Sequence, residues 1–259
     1  MLGLMIGNSR YHWAWFHNSQ LQGSWDTPYL SAEKIAALLS GVSISDFFPL
    51  LAKNFPTDLS SPEIDNSPIY LASVVPAQTE IWLKYPQVRP IGLGDLPLAN
   101  LYSNLGIDRA LAVLGAGRVY GNPVLVIDGG TALTFTGVDG SQNLVGGAII
   151  PGLKLQLRSL DLGTAALSPL DLPAALPSRW SRDTQGAIAS GVLYTTIAGI
   201  YDFMSDWWRQ FPDSHTIFTG GDGETIFRYL SDRVHTSQRH YLNYDRDVLF
   251  KGIELIIQR

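Results

Sequence analysis

The same three-stranded pattern occurs twice in this chain, and that repetition constrains the fold more than any single motif. Leu2 to Ile6 reads as a short buried strand, Gly7-Asn8-Ser9-Arg10 as a turn, and Tyr11 to Phe16 as an alternating strand. The polar turn His17-Asn18-Ser19-Gln20 then leads into a third extended piece ending near Trp25. Much later come the β-branched run Val124 to Ile127, the turn Asp128-Gly129-Gly130-Thr131 and the strand Leu133 to Val138. The turn Asp139-Gly140-Ser141-Gln142 and a strand from Asn143 to Ile150 complete the second copy. Short apolar or alternating runs separated by Gly, Asn, Asp and Ser mark antiparallel meanders. In both copies the glycine turn comes first, and the distance between turns agrees within one residue.

Mixed helix and strand follows each meander. In the first half the pattern predicts a helix over Ala32 to Leu39, a strand at Ile69 to Val75, and helices around Gln78 to Lys84 and Asp108 to Arg118. Phe55 to Pro68, rich in Pro, Ser and Asp, reads as a loop. In the second half Pro151-Gly152 opens a short helix, Pro169 to Ser181 is a connection, and a long helix runs from Thr184 to Gln210. A strand at Thr216 to Thr219 and helices at Glu224 to Leu230 and Arg246 to Gln258 end the chain. Two such halves predict an α/β duplication, with domains at 1–118 and 119–259 and a nucleotide held in the cleft between them. Backbone N–H groups exposed by the glycine turns suit phosphates.

A chain of 259 residues buries enough apolar surface to fold without disulfides or a structural metal. It has no cysteine, which excludes thiolate catalysis and cysteine-based metal centres and fits a cytoplasmic location. A net charge of −5 with no basic stripe argues against a nucleic-acid partner. Neither a signal peptide nor an uncharged apolar run long enough to span a membrane is seen, so small molecules and further copies of the chain are the expected partners.

Four motifs carry candidate chemistry, and each has a plain structural reading beside it. Asp128-Gly129-Gly130-Thr131 can bring its backbone close to a phosphate, with the Thr131 hydroxyl as donor and Asp128 beside a cation, or it can be an ordinary hairpin. Gly106-Ile107-Asp108-Arg109 opens a helix, where Asp108 is either an N-cap or a general base kept ionised by the helix terminus. Arg109 there can clamp a carboxylate with two parallel donors. Thr219-Gly220-Gly221-Asp222-Gly223 either backs a flat ligand such as adenosine or is a tight connection. Along the long helix Ala187, Gly191, Thr195 and Gly199 recur every fourth residue, leaving a face for an intrachain contact, a dimer interface or a nucleotide wall. His12, Trp13 and Trp15 read as faces of a sheet, and Trp207-Trp208 as core. The P-loop signature and the protein-kinase motif set are both missing.

Taken in order, these motifs resemble the type III pantothenate kinase family, of the acetate kinase, sugar kinase, Hsp70 and actin superfamily. Gly106 to Arg109 is similar to the family's G-A-D-R, Asp128 to Ala132 to its D-x-G-T-A, and Gly146-Gly147-Ala148-Ile149 with Pro151-Gly152-Leu153 to its G-G-x-I-x-P-G. Thr164-Ala165 with Leu167, Thr184 ahead of Gly191, and Thr219-Gly220-Gly221 also fall in the family's order.

The resemblance implies two ribonuclease H-like βββαβα domains in an actin-like ATPase fold. It implies phosphorylation of pantothenate by ATP with Mg2+, the first step of coenzyme A synthesis. Asp108 would be the base acting on the pantothenate hydroxyl, with Gly106, Ile107 and Arg109 lining that site. Tyr102 is the nearest match to a pantothenate-contacting tyrosine, at an unusual offset. Asp128 would hold a monovalent cation, K+ or NH4+. Thr131 and the first turn, comprising Met5, Ile6, Gly7, Asn8, Ser9, Arg10, Tyr11 and His12, would contact ATP. Thr184 would complete the pantothenate site of the neighbouring subunit in a homodimer. One departure stands out: the family's first turn reads D-x-G-N-T, and this chain has methionine at position 5 in place of the aspartate. Either Asp128 and water fill in, or activity is reduced and the chain is a nucleotide-binding relative with a regulatory role.

Overall fold

The computed structural model describes residues 1–40, 67–162 and 170–259. The loop expected at 55–68 and the motif at Thr164, Ala165 and Leu167 fall almost wholly outside them. The chain divides into two compact units. Unit 1 comprises 1–97, 101–115 and 249–259, and unit 2 comprises 98–100 and 116–248. The division is therefore not one cut near residue 118, because the C-terminal segment joins the first unit.

Unit 1 is built on β1 (Leu2–Ile6), β2 (Tyr11–His17), β3 (Gln20–Thr27), β4 (Ile69–Ser73) and β5 (Val88–Pro90), with α1 (Ala32–Leu39) and α2 (Pro76–Trp82). Its sheet has the order β3-β2-β1-β4-β5. β1 and β2 pair antiparallel, as do β2 and β3, whereas β4 runs parallel to β1 and β5 parallel to β4. Asn18 and Ser19, with φ of 48° and 58°, form the two-residue turn that joins β2 to β3, a backbone that matches the twist of its strands.

Alternation along β1 divides its side chains between two faces. Leu2, Leu4 and Ile6 join Tyr11, Trp13, Trp15, Trp25, Ile69, Leu71 and Trp82 in one buried cluster. Met5 lies on the opposite face, cross-strand from His12 and beside Ala72 on β4. The helix α3 (Ile107–Tyr120) starts in this unit, and α7 (Val248–Ile257) ends it. Gly252 lets α7 come within van der Waals reach of the Leu111 backbone, where any Cβ would collide.

Unit 2 repeats the plan with β6 (Val124–Gly129), β7 (Ala132–Val138), β8 (Leu144–Pro151), β9 (His215–Thr219) and β10 (Leu242–Tyr244). Read from β8, the order is β8-β7-β6-β9-β10, with the same antiparallel and parallel senses as in the first sheet. Two sheets of identical order and strand sense, each a meander followed by parallel additions, are the duplicated α/β fold the sequence predicts. The helices are α4 (Leu153–Leu162), α5 (Thr184–Gln210) and α6 (Gly223–Ser231). α5 sends Leu193, Ile197, Ile200, Met204 and Trp207 into the core at helical spacing. The Trp207 ring lies against Gly137, where even a methyl group would overlap it. α5 is also long and apolar enough to cross a membrane by length and composition, but this inward stripe belongs to the core of unit 2.

Candidate active site

The first glycine turn follows β1 directly. The Gly7 N–H donates to the Arg10 carbonyl at 3.1 Å, and the Tyr29 hydroxyl donates to the Gly7 carbonyl, so the turn is tied from both ends. Asn8, Ser9 and Arg10 are exposed on it, whereas Met5 and Ile6 are buried beneath and Tyr11 joins the core. Position 5 therefore brings no charge to the turn; its thioether packs within the sheet. His12 stands next to Met5 and turns its Nδ1 to the Asp26 carboxylate at 2.7 Å. Arg10 reaches the other oxygen of Asp26 at 3.4 Å. Asp26 belongs to none of the sequence motifs.

In the same unit, Ile107 opens α3 and Asp108 sits in its first turn. The Asp108 carboxylate accepts the Arg109 N–H at 2.8 Å and folds back against Gly106, where a Cβ would strike it. Glycine at 106 is thus a steric condition for this carboxylate position. Burial pushes the Asp108 carboxyl above its ordinary value, against the pull of the Arg109 amide and guanidinium and of His12. The sequence predicts an Asp108 kept ionised by the helix terminus, but burial is the larger effect and pushes the other way. A partly desolvated carboxyl is a better proton acceptor than an exposed one. Arg109 is 8% exposed and donates from Nη1 to the Tyr102 hydroxyl at 2.9 Å. Gly106, Ile107, Asp108, Arg109 and Tyr102 therefore form one group despite the unusual offset of the tyrosine.

Three glycine segments converge in unit 2. The hairpin Gly130-Thr131 is closed by Gly130 N–H donating to the Ala132 carbonyl at 3.0 Å. Gly152 donates to the Thr131 carbonyl at 2.9 Å, and a Cβ there would overlap the Gly130 carbonyl. From the third motif, the Asp222 N–H donates to the Gly129 carbonyl at 2.7 Å. Gly220, at φ +84°, stands so close to the Asp128 carboxylate that a side chain would overlap it. The Asp128 carboxylate and the Gly129 carbonyl both face the Gly220 position, a pair of oxygens of the kind a hard cation takes. Asp222 is buried and pairs with Lys154 at 2.5 Å. Thr131 is exposed at the tip.

Thr184 is exposed at the first position of α5, whose N-cap Asp183 accepts the Gly186 N–H at 2.8 Å. Ala187, Gly191, Thr195 and Gly199 are all exposed, and among the described residues no atom comes within 4 Å of a Cβ built at Gly191 or Gly199. The intrachain reading of this stripe finds no support. No group of three or more His, Cys, Asp or Glu suited to a metal occurs among the described residues.

The sequence profile that matches residues 1–206 is that of type III pantothenate kinase. A type III pantothenate kinase of Nostoc sp. is 43% identical, covering 99% of this chain and 94% of that relative. The enzyme of the same name from Synechocystis sp. is 42% identical over 98% of this chain and 89% of its own length, and that from Gloeobacter violaceus 39% over 98% and 99%. Among solved structures, a Campylobacter jejuni chain described as belonging to a Baf family of transcriptional activators superposes with a TM-score of 0.63 at 20% identity. The match covers 100% of this chain and 98% of that one, a likeness of fold.

Proposed function

This chain belongs to the type III pantothenate kinase family, and from that premise we propose how its residues transfer a phosphoryl group from ATP to pantothenate. The reaction is the first step of coenzyme A synthesis, and we place it in the cytoplasm. A regulatory relative without activity is the weaker reading, because kinases of this name are about 40% identical over nearly the whole chain.

Asp108 takes the proton of the pantothenate primary hydroxyl. The freed oxygen attacks the γ-phosphorus, the bond to the β,γ-bridging oxygen breaks, and ADP leaves. Phosphoryl transfer demands alignment and charge neutralisation more than covalent help. Asp108 is held by the Arg109 N–H and raised by burial, as a base requires. Arg109, braced by Tyr102, meets the pantothenate carboxylate. The first turn and Thr131 receive ATP phosphates. Asp128, with the Gly129 carbonyl beside it, would hold the monovalent cation, which would supply charge neutralisation at the phosphates. Magnesium travels with ATP and requires no dedicated protein cage. Thr184 completes the pantothenate site of a neighbouring subunit, and the exposed small-residue stripe of α5 suits the close approach such a dimer needs.

The observation that carries this reading is the Gly106-Asp108-Arg109-Tyr102 group: a desolvated carboxyl beside a buried guanidinium, at the residues of the pantothenate motif. Mass spectrometry of the product tests it. Incubation with ATP, magnesium, potassium and either pantothenate or a panel of sugars should yield a phosphorylated species from pantothenate alone. Turnover of a sugar with pantothenate untouched overturns the assignment.

A further inference from the structure

Methionine at position 5 leaves β1 without an acid beside the first turn, yet the same sheet face carries one two strands away. Met5 pairs with His12 and His12 pairs with Asp26, so the three side chains stand in a row on one face of β1, β2 and β3. The His12 and Asp26 side chains are 38% and 34% exposed, open enough to meet a ligand. Nδ1 of His12 is committed to Asp26 at 2.7 Å. That bond fixes the ring and sends Nε2 the other way, towards the glycine turn. A Cβ built on Gly7 would lie 3.2 Å from Nε2 and 3.4 Å from Cδ2. The ring therefore rests against the backbone segment assigned above to phosphate, and glycine at position 7 gives it room. Arg10 shares Asp26, and Asp108 interacts electrostatically with the ring from the start of α3.

We propose that Asp26 positions His12 against the first phosphate turn of this chain, so that His12 Nε2 meets an ATP phosphate oxygen and Asp26 is its positioning residue. A carboxylate on one ring nitrogen fixes the imidazole orientation, as outer partners of ligating histidines do. Methionine at position 5 brings no charge to this face. The inference rests on the reading that ATP phosphates meet the first turn.

Calorimetric titration of the full chain with magnesium ATP, without pantothenate, tests it. The proteins are wild type, Asp26→Asn, His12→Gln and the double variant, with the melting temperature of each read on the same samples. Each single substitution should weaken ATP binding by about tenfold, the scale of one charge-assisted hydrogen bond. The double variant should bind no worse than either single one, because the two residues act as a unit. Wild-type affinity in both single variants, or losses that multiply in the double variant, overturns this proposal alone. Absence of ATP binding by the wild type overturns the assignment of the turn itself and this inference with it. If Asp26→Asn does not fold, Met5→Asp reads the same face. With His12 already meeting the phosphate, an added carboxylate should change ATP affinity by less than about threefold, and a gain of about tenfold or more contradicts the proposal.

Discussion

Replacing Gly220 with alanine probes the meeting of the three glycine segments of unit 2, and its cost follows from the geometry. Gly220 has φ +84°, a backbone that costs an L-residue about 1–2 kcal/mol. Its new Cβ would also overlap the Asp128 carboxylate and stand 2.8 Å from the Gly129 carbonyl oxygen and 2.9 Å from its carbon. Backbone atoms held in β6 cannot step aside cheaply, and forced overpacking of this kind costs about 1–3 kcal/mol more. The combined loss, about 2–5 kcal/mol, should lower the melting temperature by roughly 5–15 °C for a chain of this size. ATP affinity should fall with it, because the Gly129 carbonyl accepts the Asp222 N–H and ties the third segment to the second. Gly221 provides the control: among the described residues nothing lies within 4 Å of the point where its methyl group would stand, so Gly221→Ala should melt within about 1 °C of wild type. Calorimetric melting of the three proteins decides. Equal melting temperatures for Gly220→Ala and Gly221→Ala would refute the close approach of Gly220 to Asp128.

Asp108→Asn should melt above wild type at neutral pH while losing turnover. An acid whose folded pKa is raised adds stability only while protonated; that contribution is complete below its unfolded pKa and is lost as pH rises through the folded one. The acid limb of wild-type kcat/KM, which reports the free enzyme, should correspondingly lie above the ordinary carboxylate range. Arg109→Lys keeps the charge but loses the fork and the brace to Tyr102, so KM for pantothenate should rise by about tenfold or more with ATP affinity unchanged, as steady-state kinetics with each substrate varied will show. Gly191→Arg puts a long cation on the exposed stripe of α5, where no described intrachain neighbour objects, and should leave folded monomers in sedimentation runs if that stripe is the dimer contact.

Much of the fold was legible because the elements are punctuated by their own residues. The long helix begins at Thr184 and ends at Gln210, as its spacing of Leu193, Ile197, Ile200 and Met204 requires. The strands β5 and β10 escaped notice because each is three residues long, too short for any periodicity, and β5 contains a proline tolerated at a sheet edge. The Asp108 group was visible as a motif, but its raised proton affinity was not, since desolvation depends on neighbours distant in sequence. Asp26 illustrates the sharper limit. Counting back from the Asn18-Ser19 turn, the pairing of His17 with Gln20 would set His12 opposite Trp25. A register shift between Trp15 and Phe16 sets it opposite Asp26 instead. One residue of slip exchanges the two faces of a strand, and here it exchanges a core tryptophan for a carboxylate partner.

Single-turnover kinetics of Asp108→Asn with saturating ATP and pantothenate, alongside calorimetric binding of both substrates, addresses the chemical step itself. If the Asp108 carboxylate accepts the alcohol proton, both substrates still bind and phosphopantothenate forms about 10²–10⁴ times more slowly than with wild type. Formation at the wild-type rate by the asparagine protein would contradict the assignment of Asp108 as the base.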